Sequence, residues 1–101
     1  MSGLHSWLSV QHHGLGTYRS LKQKLAQLAH TDAEHIALYK LLASMVDPYI
    51  DSFDEQPLPV DVADKVFGRL LDIVRDAEQS ISMAPEDQVR ALNKIAAGKL
   101  I

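Results

Sequence analysis

Apolar residues return every three or four positions through most of this chain, and that period predicts helices. In "TYRSLKQKLAQLA" Tyr18, Leu21, Leu25 and Leu28 share one side, while Arg19, Lys22 and Lys24 lie elsewhere, so a helix is expected over about residues 17–29. "HTDAEHIALYKLLASMV" follows. Thr31 and Glu34 have the spacing of a capping box, in which hydroxyl and carboxylate each satisfy a first-turn N–H. Ile36, Tyr39, Leu42 or Ala43, and Val46 then form the expected buried stripe. Pro48 either ends this helix or kinks it, with "YIDSF" available for one more turn. "DEQPLP", with Pro57 and Pro59 behind Asp54 and Glu55, is the clearest linker.

Asp61 is the expected cap of the next helix, whose stripe is Val62, Val66, Phe67, Leu70, Ile73, Val74 and Ala77. Gly68 inside it costs about 1 kcal/mol relative to Ala, which points to a close helix crossing there. The last helix opens at "APEDQ", with Pro85 suited to the first position and Glu86 and Asp87 placed on the positive end of the dipole. Val89, Leu92, Ile95 and Ala96 are its expected core stripe, and Gly98 with Lys99 its stop. Near the N-terminus, Leu4, Trp7 and Leu8 make a short amphipathic turn that ends at Gly14 and Gly16. No strand alternation or internal repeat is visible. The expected fold is all-α, an antiparallel up-and-down four-helix bundle with a short extra N-terminal helix. One domain covers residues 1–101, divided into an extension (1–16) and the bundle (17–101).

Composition narrows the function. The hydrophobic fraction of 47% is too high for a disordered chain, and with two Phe, three Tyr and one Trp the core must be mostly aliphatic. A net charge of −3 without a dense Lys/Arg stripe supplies little phosphate neutralisation, which argues against nucleic acid. The absence of cysteine excludes disulfides and thiolate metal sites and fits a reducing compartment. "MSGLHSWLSVQHH" has neither the basic nor the apolar region of a secretory signal, and no run reaches the roughly 18 apolar residues of a membrane span.

Candidate chemistry is sparse. All five histidines, His5, His12, His13, His30 and His35, fall in the first third. Metal binding needs three or four converging ligands, and His30 with Glu34 on a helix face lacks a matching pair on a second helix. "GLG" at residues 14–16 lacks the strand, the third glycine and the Lys-Ser/Thr ending of a phosphate loop, and reads as a turn and helix start. Asp47, Asp51, Asp54, Glu55, Asp61 and Asp64 read as a solvated acidic stretch, and no serine sits in a nucleophile elbow. A catalytic site and a cofactor are therefore not expected. Tyr18, Tyr39, Met45 and Tyr49 fall on core faces, while Trp7 either docks on the bundle or anchors an interface or membrane surface.

Over residues 17–97 the layout resembles the pediocin- and enterocin-type (class IIa) bacteriocin immunity proteins. The likeness lies in the helix "HIALYKLLASMVDPYID", the Pro-containing linker, the helix "DVADKVFGRLLDIVRDA", and above all "ISMAPEDQVRALNKIA" leading into the last helix. The family usually caps that helix with Thr, where this chain has Ala84 with Ser82 two residues earlier, and it often carries a longer C-terminal tail. The N-terminal segment with Trp7 has no evident counterpart. The resemblance implies a non-catalytic cytoplasmic protein that protects a bacterial cell from a pore-forming peptide. It would act at a membrane sugar permease that the peptide has seized, with peripheral membrane contact and with the C-terminal half setting specificity. Residues expected to face such a partner are Gln88, Arg90, Asn93, Lys94, Lys99 and Leu100, together with Trp7. The apolar pair Leu100 and Ile101 has two equal readings, a partner contact or a plug of the core.

Three other readings use the same residues. One is a small helical adaptor or regulator that binds a soluble protein through one bundle face. Another is a metal-binding or enzymatic bundle built on His30, Glu34 and His35. The last is a homodimer that buries Trp7 or Leu100.

Overall fold

The computed structural model describes residues 3–100. Its elements are α1 (Leu4–Ser9), α2 (Leu15–Thr31), a single 3-10 turn (Ala33–His35), α3 (Ile36–Phe53), α4 (Val60–Ser80) and α5 (Pro85–Ala97), with no strand among the described residues. This is an all-α bundle of four long helices and a short N-terminal one. α2 and α3 form an antiparallel hairpin, fastened across their seam by ion pairs from Arg19 to Asp54 and from Lys22 to Asp47. α1 and α5 each pack on α4.

One core joins all five helices. Leu4 and Leu8 of α1, Tyr18, Leu21 and Leu25 of α2, and Leu38, Tyr39, Leu42, Val46, Tyr49 and Ile50 of α3 contribute to it. Val66, Phe67, Leu70, Val74 and Ala77 of α4, and Ile95 of α5 with Leu100 beyond it, complete it. At its centre the Tyr18 and Tyr49 rings lie 4.7 Å apart, and Phe67 meets Tyr18 edge-on at 6.5 Å. Both tyrosine hydroxyls are buried without a hydrogen-bond partner.

The helix ends differ from expectation. α2 starts at Leu15 with Gly14 as its N-cap residue, and Gly16 lies inside its first turn. The Thr31–Glu34 capping box does not form, because Thr31 is still in α2 and its hydroxyl donates to the Gln27 carbonyl. The chain then spends one 3-10 turn before α3, which leaves Ile36 41% exposed instead of core. Pro48 does not end α3: Ser44 and Pro48 are both exposed, so the carbonyl left without its N–H partner lies on the outer side of the helix while Tyr49 and Ile50 continue into the core. Asp61 is not a cap. Pro59 holds that position, and Asp61 lies in the first turn where its charge meets the dipole.

Gly68 marks no helix crossing. It is exposed, and a Cβ built there meets nothing within 4 Å. Gly3 does need to be glycine, since its φ of +86° is left-handed. That turn aims the first N–H groups of α1 at α4, where Glu78 Oε1 accepts from Leu4 N at 2.7 Å and His5 N at 3.3 Å.

Two outcomes follow from this packing. Gly68→Ala removes backbone freedom from the unfolded chain without a clash, so it stabilises by about 1 kcal/mol and raises the melting temperature by about 4–8 °C in calorimetry. Burial raises the ionisation of all three tyrosines above the ordinary phenol value of 10.0, strongly at Tyr18, where the Tyr49 phenol adds to the effect, and at Tyr39, where the Asp32 hydrogen bond does. A raised native value means that this stabilisation is complete below pH 10 and is lost as pH rises above it. Phenolate absorbance from Tyr18 and Tyr39 therefore stays silent through pH 10 and appears together with loss of helical circular dichroism; two or more phenolates in a still-helical chain at that pH would contradict the packing.

Candidate partner surface

α5 is the long helix with the fewest ties. Ile95 is its one fully buried side chain, with Ala91, Leu92 and Gln88 partly covered. The covered line therefore runs through 88, 91, 92 and 95, turned toward α4 from the expected stripe of 89, 92, 95 and 96. Val89 is 55% exposed and Ala96 is exposed, so the apolar face of α5 is wider than α4 covers. Met83, in the α4–α5 connection, is also exposed, at 43%.

Arg90, Asn93, Lys94 and Lys99 face solvent as expected. Arg90 Nη1 lies 3.4 Å from Asp87 Oδ1, and Lys94 Nζ reaches Asp76 Oδ2 at 4.0 Å across to α4. Between the two helices a cleft of about 490 Å³ runs past Asp76, Gln79 and Met83 on one side and Asp87, Arg90, Ala91 and Lys94 on the other, with Ile95 also lining it. A second cleft continues it past Arg69, Asp72 and Ile73 to Lys99. The α4 wall thus carries the acids Asp72 and Asp76 with the base Arg69, and the α5 side the bases Arg90, Lys94 and Lys99 with the acid Asp87.

Gln88 does not point outward. Its amide donates to the carbonyls of Ile81 (3.1 Å) and Met83 (2.9 Å) and so holds the α4–α5 connection. Leu100 takes the role of core plug: it is 3% exposed, and its carbonyl accepts from Arg69 Nη1 at 3.2 Å, so its side chain is not offered to a partner. Ile101 lies outside the described residues.

Trp7 is not part of this surface. It is half-buried against the core, with the Lys24 ammonium 4.7 Å from its ring centroid, at a separate cavity of about 320 Å³ between α1 and the end of α2. That is docking onto the bundle. Its indole is thus partly engaged within the chain, and Leu100 is buried in it.

The histidines and acids serve mainly as fasteners. His13 stacks on Phe67 at 4.0 Å and its Nδ1 lies 2.8 Å from Asp64 Oδ1, pinning the α1–α2 loop to α4. His12 Nδ1 accepts the Gly14 N–H at 3.1 Å, and its carbonyl accepts the Thr17 hydroxyl. Asp47, Asp54 and Asp64 thereby turn out to be partners of Lys22, Arg19 and His13. His30, exposed in the last turn of α2, does not join Glu34 and His35; Asp32 does. Asp32 accepts from the Tyr39 hydroxyl and pairs with His35 Nδ1 at 2.8 Å. The Tyr39 hydrogen bond, followed by that from His35, lowers the Asp32 carboxyl below its ordinary 3.8.

Among the described residues no helix is long and apolar enough to cross a membrane. No protein-family model, curated protein or solved structure matches this chain.

α5 begins weakly. Its N-cap residue, Ala84, has the extended backbone of a cap (φ −60°, ψ 152°) but no side-chain hydrogen bond, and Ser82 donates back to Gln79 instead of helping. Ala84→Ser supplies the missing acceptor without moving the chain. It raises stability by about 1 kcal/mol, seen as a higher urea midpoint at unchanged slope.

Proposed function

We propose that this chain works without catalysis, as a binding module whose recognition surface is the outer side of α5 with the α4–α5 cleft. The observation that carries this reading is the incomplete cover of α5. Val89 and Met83 are exposed apolar side chains beside Arg90, Asn93 and Lys94, and that mixture of apolar and polar contact is what protein interfaces use. Part of the acidic stretch has a structural use that supports this reading: Asp47, Asp54 and Asp64 pair with Lys22, Arg19 and His13 and so join separate segments.

The specific form proposed is a class IIa immunity protein, acting from the cytoplasmic side on a sugar permease with its bound bacteriocin. It is supported by the layout of residues 17–97 and by a bundle of four long helices. The broader form is an adaptor that uses the same surface on another soluble protein. A growth assay separates the two. The chain expressed in a sensitive strain protects it against at least one of a panel of pediocin-like peptides if the specific form holds; no protection against any of them rejects that form.

The surface itself is tested by Arg90→Glu with Lys94→Glu. Both side chains are exposed, so melting changes by no more than about 0.5 kcal/mol, while partner affinity, or the protecting dose, weakens by about tenfold or more. Unchanged protection in this folded variant moves the recognition surface off α5.

A further inference from the structure

Where α2 gives way to α3, the 3-10 turn brings together three different ligand groups. An oxygen of Asp32, an oxygen of Glu34 and a ring nitrogen of His35 all lie within 4.8 Å of one another. We propose that this turn is a binding site for a divalent transition-metal ion, Zn²⁺ fitting best, held by Asp32, Glu34 and His35 and completed by water.

The donor set selects the ion. One imidazole and two carboxylates suit zinc and its neighbours, whereas Mg²⁺ and Ca²⁺ prefer shells made wholly of oxygen. The distances require little change. Asp32 Oδ2 and His35 Nδ1 are 2.8 Å apart, and neighbouring ligands on a tetrahedral zinc with bonds of about 2.0–2.1 Å stand roughly 3.3 Å apart. The ion takes the place of the proton between them. Glu34 is exposed, so its side chain is free to close the third position. All three ligands lie within four consecutive residues, so no helix has to shift.

Tyr39 distinguishes this turn from an ordinary exposed acid pair. Its ring is fixed in the core at 1% exposure, and its hydroxyl donates to Asp32 Oδ2. The carboxylate is thus oriented in advance by a group that does not itself touch the ion, as outer-shell partners orient metal ligands. Tyr39 is a positioning residue. The site is independent of the α5 surface, and its effect is to brace the hinge of the α2–α3 hairpin.

The experiment uses the full chain without an affinity tag, titrated with ZnCl₂ by calorimetry and followed by thermal melting. The proposal expects one ion per chain and a melting temperature that climbs with zinc concentration. Glu34→Gln and His35→Gln abolish the one-site isotherm, Tyr39→Phe weakens it about tenfold at unchanged stoichiometry, and His12→Gln with His13→Gln leaves it intact. Glu34→Gln alters an exposed side chain and keeps the test valid if the His35 variant fails to fold. The proposal is overturned if millimolar zinc gives neither heat nor a melting shift, or if binding survives Glu34→Gln and disappears with His12 and His13.

Discussion

Three rings meeting at one point hold this bundle together. Tyr18 comes from α2, Tyr49 from α3 and Phe67 from α4, so the tilted contact of the first two and the edge-on approach of the third fix how the hairpin sits on α4. Phe53 extends the cluster along α3 from Tyr49, and His13 lies flat on Phe67 from outside. Aromatic pairs of this geometry contribute about 0.5–1.5 kcal/mol each beyond the area they bury. Against that stands the desolvation of two unpartnered hydroxyls, which costs about 1–3 kcal/mol apiece. The centre therefore supplies uniqueness of packing more than net stability: rings of this size leave few other ways for the three helices to meet.

The remaining elements are fastened to that centre by polar groups. α1 is too short to persist alone, and it is held by Leu4 and Leu8 in the core, by Glu78 on its first N–H groups and by the α1–α2 loop that His13 pins. Because Glu78 is part-buried and charged, its bonds to Leu4 and His5 are of the stronger kind. α5 has no equivalent. One buried isoleucine, the partly covered Ala91 and Leu92, a Gln88 amide on the connection, the 4.0 Å Lys94–Asp76 contact and the Leu100 plug with its Arg69 bond are what bind it. A helix tied so lightly is the element whose local opening needs least free energy.

The parts of this architecture legible in the sequence were those set by local period. Tyr18, Leu21 and Leu25, and Val66, Phe67, Leu70, Val74 and Ala77, lie where the three-four spacing puts them, because each helix is covered on one side by large neighbours. The same period misplaced α5. Its apolar residues span more than one face, and spacing alone does not say which part of a broad stripe a single neighbouring helix will cover. The Thr31–Glu34 pattern failed because α2 ran one turn further than its apolar stripe, which consumed the residue expected to cap the next helix. Glu78 gave no sign of its role, since its partners are 73 and 74 residues away in sequence. Asp32 was hidden by the assumption of a helix face at 30 and 34, where the chain instead makes a 3-10 turn.

The two ends of the bundle are not equivalent. Leu4 meets both Glu78 and the cavity that Thr31 lines, so the start of α1, the α2–α3 turn and the α4–α5 connection share one end. The His13 loop and the proline linker occupy the other, while Leu100 lies beside the middle of α3 and α4, near Met45 and Arg69. Ion pairs joining separate segments, Arg19 to Asp54, Lys22 to Asp47 and His13 to Asp64, gather toward the linker end, with the 4.0 Å Lys94–Asp76 contact the exception. Apart from that contact, the opposite end has no ion pair between helices among the described residues: Glu78 holds Leu4 and His5 of α1, Lys24 of α2 covers Trp7, and the two connections are braced by hydrogen bonds within short segments, Asp32 with His35 and Tyr39, and Gln88 with Ile81 and Met83. It also carries the uncapped start of α5 and the exposed Met83. A partner on Met83 and α5, or an ion on the Asp32 turn, meets connections that are held by bonds reaching only a few residues along the chain. Binding there consequently stiffens the connections themselves, and through them the helices they join.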